Sequence, residues 1–183
     1  MSLDRPNAPE IDGSDLFFCI VAARYNPELV DALIQRTTAT LQESGVREAN
    51  IKVMRVPGSN ELPYGVYMHA LSRQYDCVIA LGIVIAGETD HHSVIADSTA
   101  DAFHKIGMET EVPVINGVVT VGNMEQAVAR TTGDVDRGAE FARAALEMAW
   151  HKLRLVEMID EIEEDLLTDD DDDDDLETLF RKN

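Results

Sequence analysis

The chain has 183 residues, 45% of them apolar, and a formal net charge of −20. That length suits one domain with or without a tail, and that apolar content excludes wholesale disorder. No run approaches the roughly 18 to 20 apolar residues of a membrane span, no basic-then-apolar leader opens the sequence, and the negative balance disfavours nucleic acid. The charge is uneven, because residues 157–183 hold 14 of the 35 Asp and Glu but only two of the 15 Lys and Arg.

Residues 1–15, with two prolines and a glycine, read as an arm or linker. LFFCIVAA at 16–23 is a short apolar run, the pattern of a fully buried strand. Residues 27–44 carry Leu29, Val30, Leu33, Ile34 and Leu41 at helical spacing, and Gly45 marks the stop. Ile51–Val56 is strand-like. Leu62–Arg73 is helix-like, with Pro63 in its first turn, where a missing donor costs nothing. CVIALGIVI at 77–85 is the strongest buried-strand run. Residues 91–107 predict a helix with Val94, Ile95, Ala102, Phe103 and Ile106 on its buried side. Val112–Val119 is a fourth strand, 123–130 a short helix, and roughly 137–160 a long one.

Strands alternating with helices of a dozen residues require parallel crossovers. The expected architecture is α/β, a three-layer αβα sandwich around a flavodoxin-like, four-stranded parallel sheet of order 2-1-3-4. Its domain would span 16–160, followed by an acidic tail over 161–183. Seven consecutive aspartates, Asp169 to Asp175, repel one another and predict an extended, solvated segment, while Leu176, Leu179 and Phe180 form a short apolar peptide at its end. Cys19 and Cys77 lie inside apolar runs and read as reduced thiols of a cytoplasmic protein, without disulfide or zinc spacing.

Ligands of such sheets bind beyond the carboxyl ends of the strands. The four segments there are Arg24-Tyr25-Asn26, Pro57-Gly58-Ser59-Asn60-Glu61, the stretch from Ala86 to His92, and Thr120-Val121-Gly122-Asn123. They hold the glycines and titratable groups that the strands lack, and they are expected to converge. Gly87 lets backbone approach a ligand. Thr89 or Asp90 can cap a helix starting near His91, whose N-terminus is an anion seat. His91 beside it can shuttle a proton near neutral pH, or simply cap or pack. His91 and His92 point about 100° apart on a helix, a poor geometry for a shared metal. Arg130 and Arg137 flank the last loop and read as surface ion pairs or as ligand cations. The glycine fingerprints of dinucleotide and nucleoside triphosphate sites are absent.

The four strand-end motifs, in order, resemble those of the 6,7-dimethyl-8-ribityllumazine synthase family. They are Arg24-Tyr25-Asn26, VPGSNELP at 56–63, ALGIVIAGETDH at 80–91 and PVINGVVT at 113–120, with NMEQAVAR at 123–130 also fitting. The resemblance covers roughly residues 16–156. It implies a transferase of riboflavin biosynthesis that condenses 5-amino-6-(D-ribitylamino)uracil with 3,4-dihydroxy-2-butanone 4-phosphate and needs no metal or organic cofactor. It implies that His91 is the general acid/base, that Gly87, Glu88 and Thr89 form the phosphate turn, and that Arg130 clamps the phosphate. Tyr25 matches the stacking aromatic. Asn26, Ser59, Asn60, Glu61, Val84 and Ile85 match the ring and ribityl pocket, Asn116 its wall across a subunit interface, and Arg137 stands near a family lysine. The family implies homo-oligomers (pentamers, with decamers or 60-subunit shells built from them), an N-terminal strand added to a neighbour's sheet, and riboflavin synthase as a partner.

Asn60 and Asn116 stand where the family has aromatics, Ala86 where it has arginine, and His92-Ser93-Val94 where it has an aromatic-acidic-aromatic stretch. Those departures leave a second reading open, a diverged homologue of weak or no activity serving as an oligomeric scaffold or a flavin- or pterin-binding shell.

Overall fold

In a computed structural model, residues 9–169 are described, the side chains of 164–169 excepted. The four strands are β1 (Phe18–Ala23), β2 (Ile51–Val56), β3 (Cys77–Ile85) and β4 (Val114–Val121). They form one parallel sheet of order β2-β1-β3-β4, as the alternation of runs predicts. Between them run α1 (Pro27–Glu43), α2 (Leu62–Leu71), α3 (His91–Thr110), α4 (Met124–Thr131) and α5 (Arg137–Asp169). The chain divides into two compact units, residues 1–150 and 151–183.

Within the first unit, successive residues of β1 and β3 point to opposite faces, so each strand feeds two cores. Phe18, Ile20, Ile79 and Leu81 pack with Leu29, Val30 and Leu33 of α1, Ala127 of α4, and Ala142, Ala145 and Leu146 of α5. Cys19, Val21, Val78 and Ala80 pack with Leu62 and Val66 of α2 and with Phe103 and Ile106 of α3. Both central strands are buried almost throughout, whereas β2, at one edge, leaves Val53 and Met54 open to solvent.

The ends of α1 follow from its sequence. Asn26 takes the left-handed conformation (φ 54°) that asparagine tolerates, and Pro27 opens the helix. Gly45, at φ +91°, closes it: its N–H donates to Gln42 O and that of Val46 to Leu41 O, a Schellman stop.

Three expectations shift. β4 begins at Val114 and ends at Val121, two residues later than the sequence suggests, because Pro113 has no N–H for the ladder while Val112 is buried in the α2–α3 core instead. Val94 is exposed on α3 rather than buried, while Phe103 and Ile106 are in the core as expected. α5 continues to Asp169, past the end near 160 that the acid-rich sequence suggested. The aspartates beyond 169, the apolar residues Leu176, Leu179 and Phe180, and residues 1–8 of the arm lie outside the described residues.

Candidate functional site

Strand order reverses between β1 and β3, since β2 lies beyond β1 and β4 beyond β3, all of them parallel. This is a switch point, where the loops leaving the two strands part and open a crevice. A cleft of about 580 Å³ sits there. It is lined by Tyr25 and Asn26 after β1, Gly58 to Glu61 after β2, Ile83 to Ile85 at the end of β3, and Gly87, Thr89 and His91 beyond it.

Each segment is held by identifiable contacts. The Arg24 N–H donates to Val56 O (2.9 Å), tying the turn after β1 to the end of β2. Tyr25 is 72% exposed and lines the cleft. A Cβ added to Gly58 would lie 3.1 Å from Glu61 Oε2 and 3.3 Å from Tyr25 Cδ2, so the bare backbone of Gly58 runs between the aromatic and the carboxylate. Ser59–Glu61 form a 3-10 turn leading into α2, with the Asn60 amide nitrogen 3.4 Å from Glu61 Oε1. Ser59 is buried above Gly82 of β3, where a Cβ would stand 2.6 Å from its Oγ. The absent side chain is what lets this loop settle on the strand.

The third segment opens α3. Ala86 N–H donates to Val121 O (2.9 Å), which anchors the turn, and Gly87 has nothing within 4 Å of where a Cβ would be. Asp90 is the cap residue as expected, but its side chain makes no capping hydrogen bond. The positive end of α3 is therefore left to other partners. His91 is exposed at that end. His92 Nδ1 lies 3.0 Å from Thr89 O, bracing the turn.

Ile83 and Ile95 also line the cleft without having been singled out for it in the sequence, while Gly58 and His92 line it as members of the segments expected to converge. Ile95 lies one turn after His91, so helical spacing alone points to it. The segment after β4, expected to converge with the other three, contributes none of the lining residues. Within one chain, Glu88, Asn116, Arg130 and Arg137 are not among the lining residues. Asn116 sits in the N-terminal half of β4, opposite Ala80, and its Oδ1 accepts from Val118 N–H (3.1 Å). Arg130 folds back on α4 and donates to Gln126 O (3.1 Å). Arg137 pairs with Glu140 on the next turn of α5.

Among the described residues, no group of three or more His, Cys, Asp or Glu is arranged to hold a metal, and no helix is long and apolar enough to cross a membrane. The displaced titrations lie elsewhere. Burial pushes the Cys19 thiol up to about 12. Burial and then Lys52 hold His69 below its ordinary range, and burial and then Cys19 raise Tyr75.

A doubly wound sheet with a polar, histidine-bearing cleft at its switch point defines an α/β protein built to bind a small polar molecule. A profile of the 6,7-dimethyl-8-ribityllumazine synthase family matches residues 15–152. Relatives of that name are similar over most of this chain. The one from Paracidovorax citrulli is 38% identical over 80% of this chain and 93% of its own, the one from Bordetella petrii 41% over 86% of each, and the one from Halorhodospira halophila 45% over 73% and 86%. The chain belongs to the 6,7-dimethyl-8-ribityllumazine synthase family.

Proposed function

We propose that the chain is a lumazine synthase, condensing 5-amino-6-(D-ribitylamino)uracil with 3,4-dihydroxy-2-butanone 4-phosphate. The balance is one lumazine, two waters and one inorganic phosphate. The 5-amino group and the ketone form an imine with loss of the first water, phosphate leaves, and the ribitylamino nitrogen closes the ring with loss of the second. The observation that carries this reading, beside family membership, is the single cleft that brings Tyr25, Ser59, Glu61 and His91 together.

Tyr25 stacks on the pyrimidine. Asn26, Ser59, Asn60 and Glu61, with the backbone at Val84 and Ile85, hold the ring and ribityl chain. The turn Gly87-Glu88-Thr89 and the open N-terminus of α3 receive the phosphate. His91 moves the proton whose removal drives phosphate out.

The assembly is a homopentamer or a larger shell of pentamers in the cytoplasm, with riboflavin synthase as a candidate partner. Exposed Tyr64, Met68 and Leu71 on α2, and Val94 and Met108 on α3, support a neighbour on that side of the sheet. Asn116, Arg130 and Arg137 then act on a neighbour's cleft. Purified protein mixed with both substrates should form lumazine, read by its absorbance and fluorescence, faster than the spontaneous condensation. His91→Ala should lower turnover while pyrimidine binding survives. A wild-type rate equal to the spontaneous one rejects the reading.

A further inference from the structure

The second unit begins at His151 and is described as helix to Asp169. The match to the family profile ends at residue 152, so most of this helix lies beyond it. Its length is about 28 Å. Leu155, Ile159 and Ile162 follow one another at spacings of four and three, the interval of a coiled-coil seam, and Leu166 continues it in the sequence. Leu155, Ile159 and Ile162 are 55%, 46% and 53% exposed, and Val156 and Met158 beside them are exposed as well.

The charge along the helix selects the occupant. His151, Lys152 and Arg154 stand at its start, whereas Glu157, Asp160, Glu161, Glu163, Glu164 and Asp165 follow, and the sequence runs on into seven aspartates. A parallel partner of the same kind sets acid against acid. An antiparallel one sets the basic start of each helix against the acidic stretch of the other and opposes the two helix dipoles. We propose that residues 151–169 pair antiparallel with the same segment of a second copy of this chain, burying the stripe of Leu155, Ile159 and Ile162 in a two-fold contact. Such a contact is isologous, so it joins two assemblies and closes. One helix pair covers less than the ~800 Å² per partner of a standard interface, so the pairing is reversible and strengthens where several helices meet at once.

The full chain tests this by sedimentation velocity over a dilution series, with lumazine formation measured in parallel. Wild type should show a concentration-dependent doubling of mass. Ile159→Gln with Ile162→Gln, which keeps good helix formers, should abolish the doubling and leave the condensation rate unchanged. Cys19 and Cys77 are buried, so cross-linking can be read from introduced thiols. A Lys152→Cys chain mixed with a Glu163→Cys chain should give bis-maleimide cross-links between unlike chains and not between like ones. Mass that does not depend on concentration, doubling that survives the double substitution, cross-links only between like chains, or capture of polylysine by a helix that never self-pairs would each overturn the proposal. Loss of condensation activity with doubling intact would count against the lumazine synthase reading instead.

Discussion

Gly82→Ala should unsettle the cleft through one methyl group. Gly82 lies on the face of β3 that carries Val78 and Ala80, and its missing side chain is where Ser59 rests. An alanine Cβ would lie 2.6 Å from Ser59 Oγ, 3.0 Å from Leu62 Cδ1 and 3.5 Å from Ser59 Cβ. The first two are well inside van der Waals contact. Ser59 is buried, and Leu62 belongs to the core beneath α2, so the strain passes to the Ser59–Glu61 turn. Overpacking of this kind costs about 1–3 kcal/mol, offset by roughly 0.5–1 kcal/mol because a strand glycine gives up more freedom on folding than alanine. A net loss of about 1–2 kcal/mol should lower the melting temperature by roughly 2–8 °C for a domain of this size. Turnover should fall further than stability, since a displacement of about 1 Å in a positioning loop can cost on the order of 100-fold.

The control is Ser59→Ala in the same background. It removes the oxygen at 2.6 Å and leaves Leu62 Cδ1 at 3.0 Å and the ordinary contact with Ser59 Cβ at 3.5 Å. Thermal melts of the four proteins in this cycle should give a coupling of about 1 kcal/mol, with the double variant more stable than additivity allows. The reasoning fails if Gly82→Ala melts with wild type, or if the two substitutions are additive.

Gly117→Ala should be more damaging, because the added Cβ meets the Ala80 carbonyl oxygen at 2.5 Å as well as Leu81 Cδ2 at 2.6 Å, and backbone cannot rotate aside. Its melting temperature should fall below that of Gly82→Ala, and the opposite order would refute the packing account. Cys19 should resist Ellman's reagent at pH 8 in the folded protein and react fully in denaturant. Its thiol is raised from 9.0 to about 12 by burial, so its share of stability is complete below pH 9 and is lost as pH rises toward 12. Urea melts should therefore show about 1–2 kcal/mol less stability at pH 10 than at pH 8, and Cys19→Ala should flatten that slope.

The sheet was readable because β1 and β3 are continuous apolar runs buried on both faces, a pattern a parallel sheet imposes on its central strands. β2 was readable as a strand from IKVMRV, but not the openness of its edge, which depends on what lies beside it. α2 shows the same limit. Its sequence, LPYGVYMHAL, is apolar all round, so neither composition nor period separates the Leu62–Val66 face in the core from Tyr64, Met68 and Leu71 outside it. α5 runs on because Ile159, Ile162 and Leu166 keep helical spacing through the acids. In the cleft, the three loops on either side of the switch point were legible from position alone. The direction of a long side chain was not: Arg130 turns onto Gln126 O, a choice between rotamers that no spacing encodes.

The charge of the cleft gives the most exacting test of how the site is shared. Its lining residues include Glu61 and two histidines but no Lys or Arg. A phosphate monoester brings close to two negative charges, and one uncapped helix end supplies only about half a unit of positive charge. A clamp strong enough to hold it calls for a further cation, and a guanidinium is the one that grips a phosphate bidentately. If that guanidinium is Arg130 of a neighbour, a cleft needs His91 from one chain and Arg130 from the next. Arg130→Ala should then raise KM for the butanone phosphate, and His91→Ala should lower turnover. Chains of the two variants, unfolded together and reassembled at equal ratio, should recover activity that neither has alone. A quarter of the interfaces then pair an intact His91 with an intact Arg130, so the ceiling is about a quarter of wild-type turnover. Mixed assemblies confirmed by native mass spectrometry but showing no activity above the mean of the parents would put both residues in one chain. Arg130 would then have to abandon its hydrogen bond to Gln126 and swing into the cleft of its own subunit.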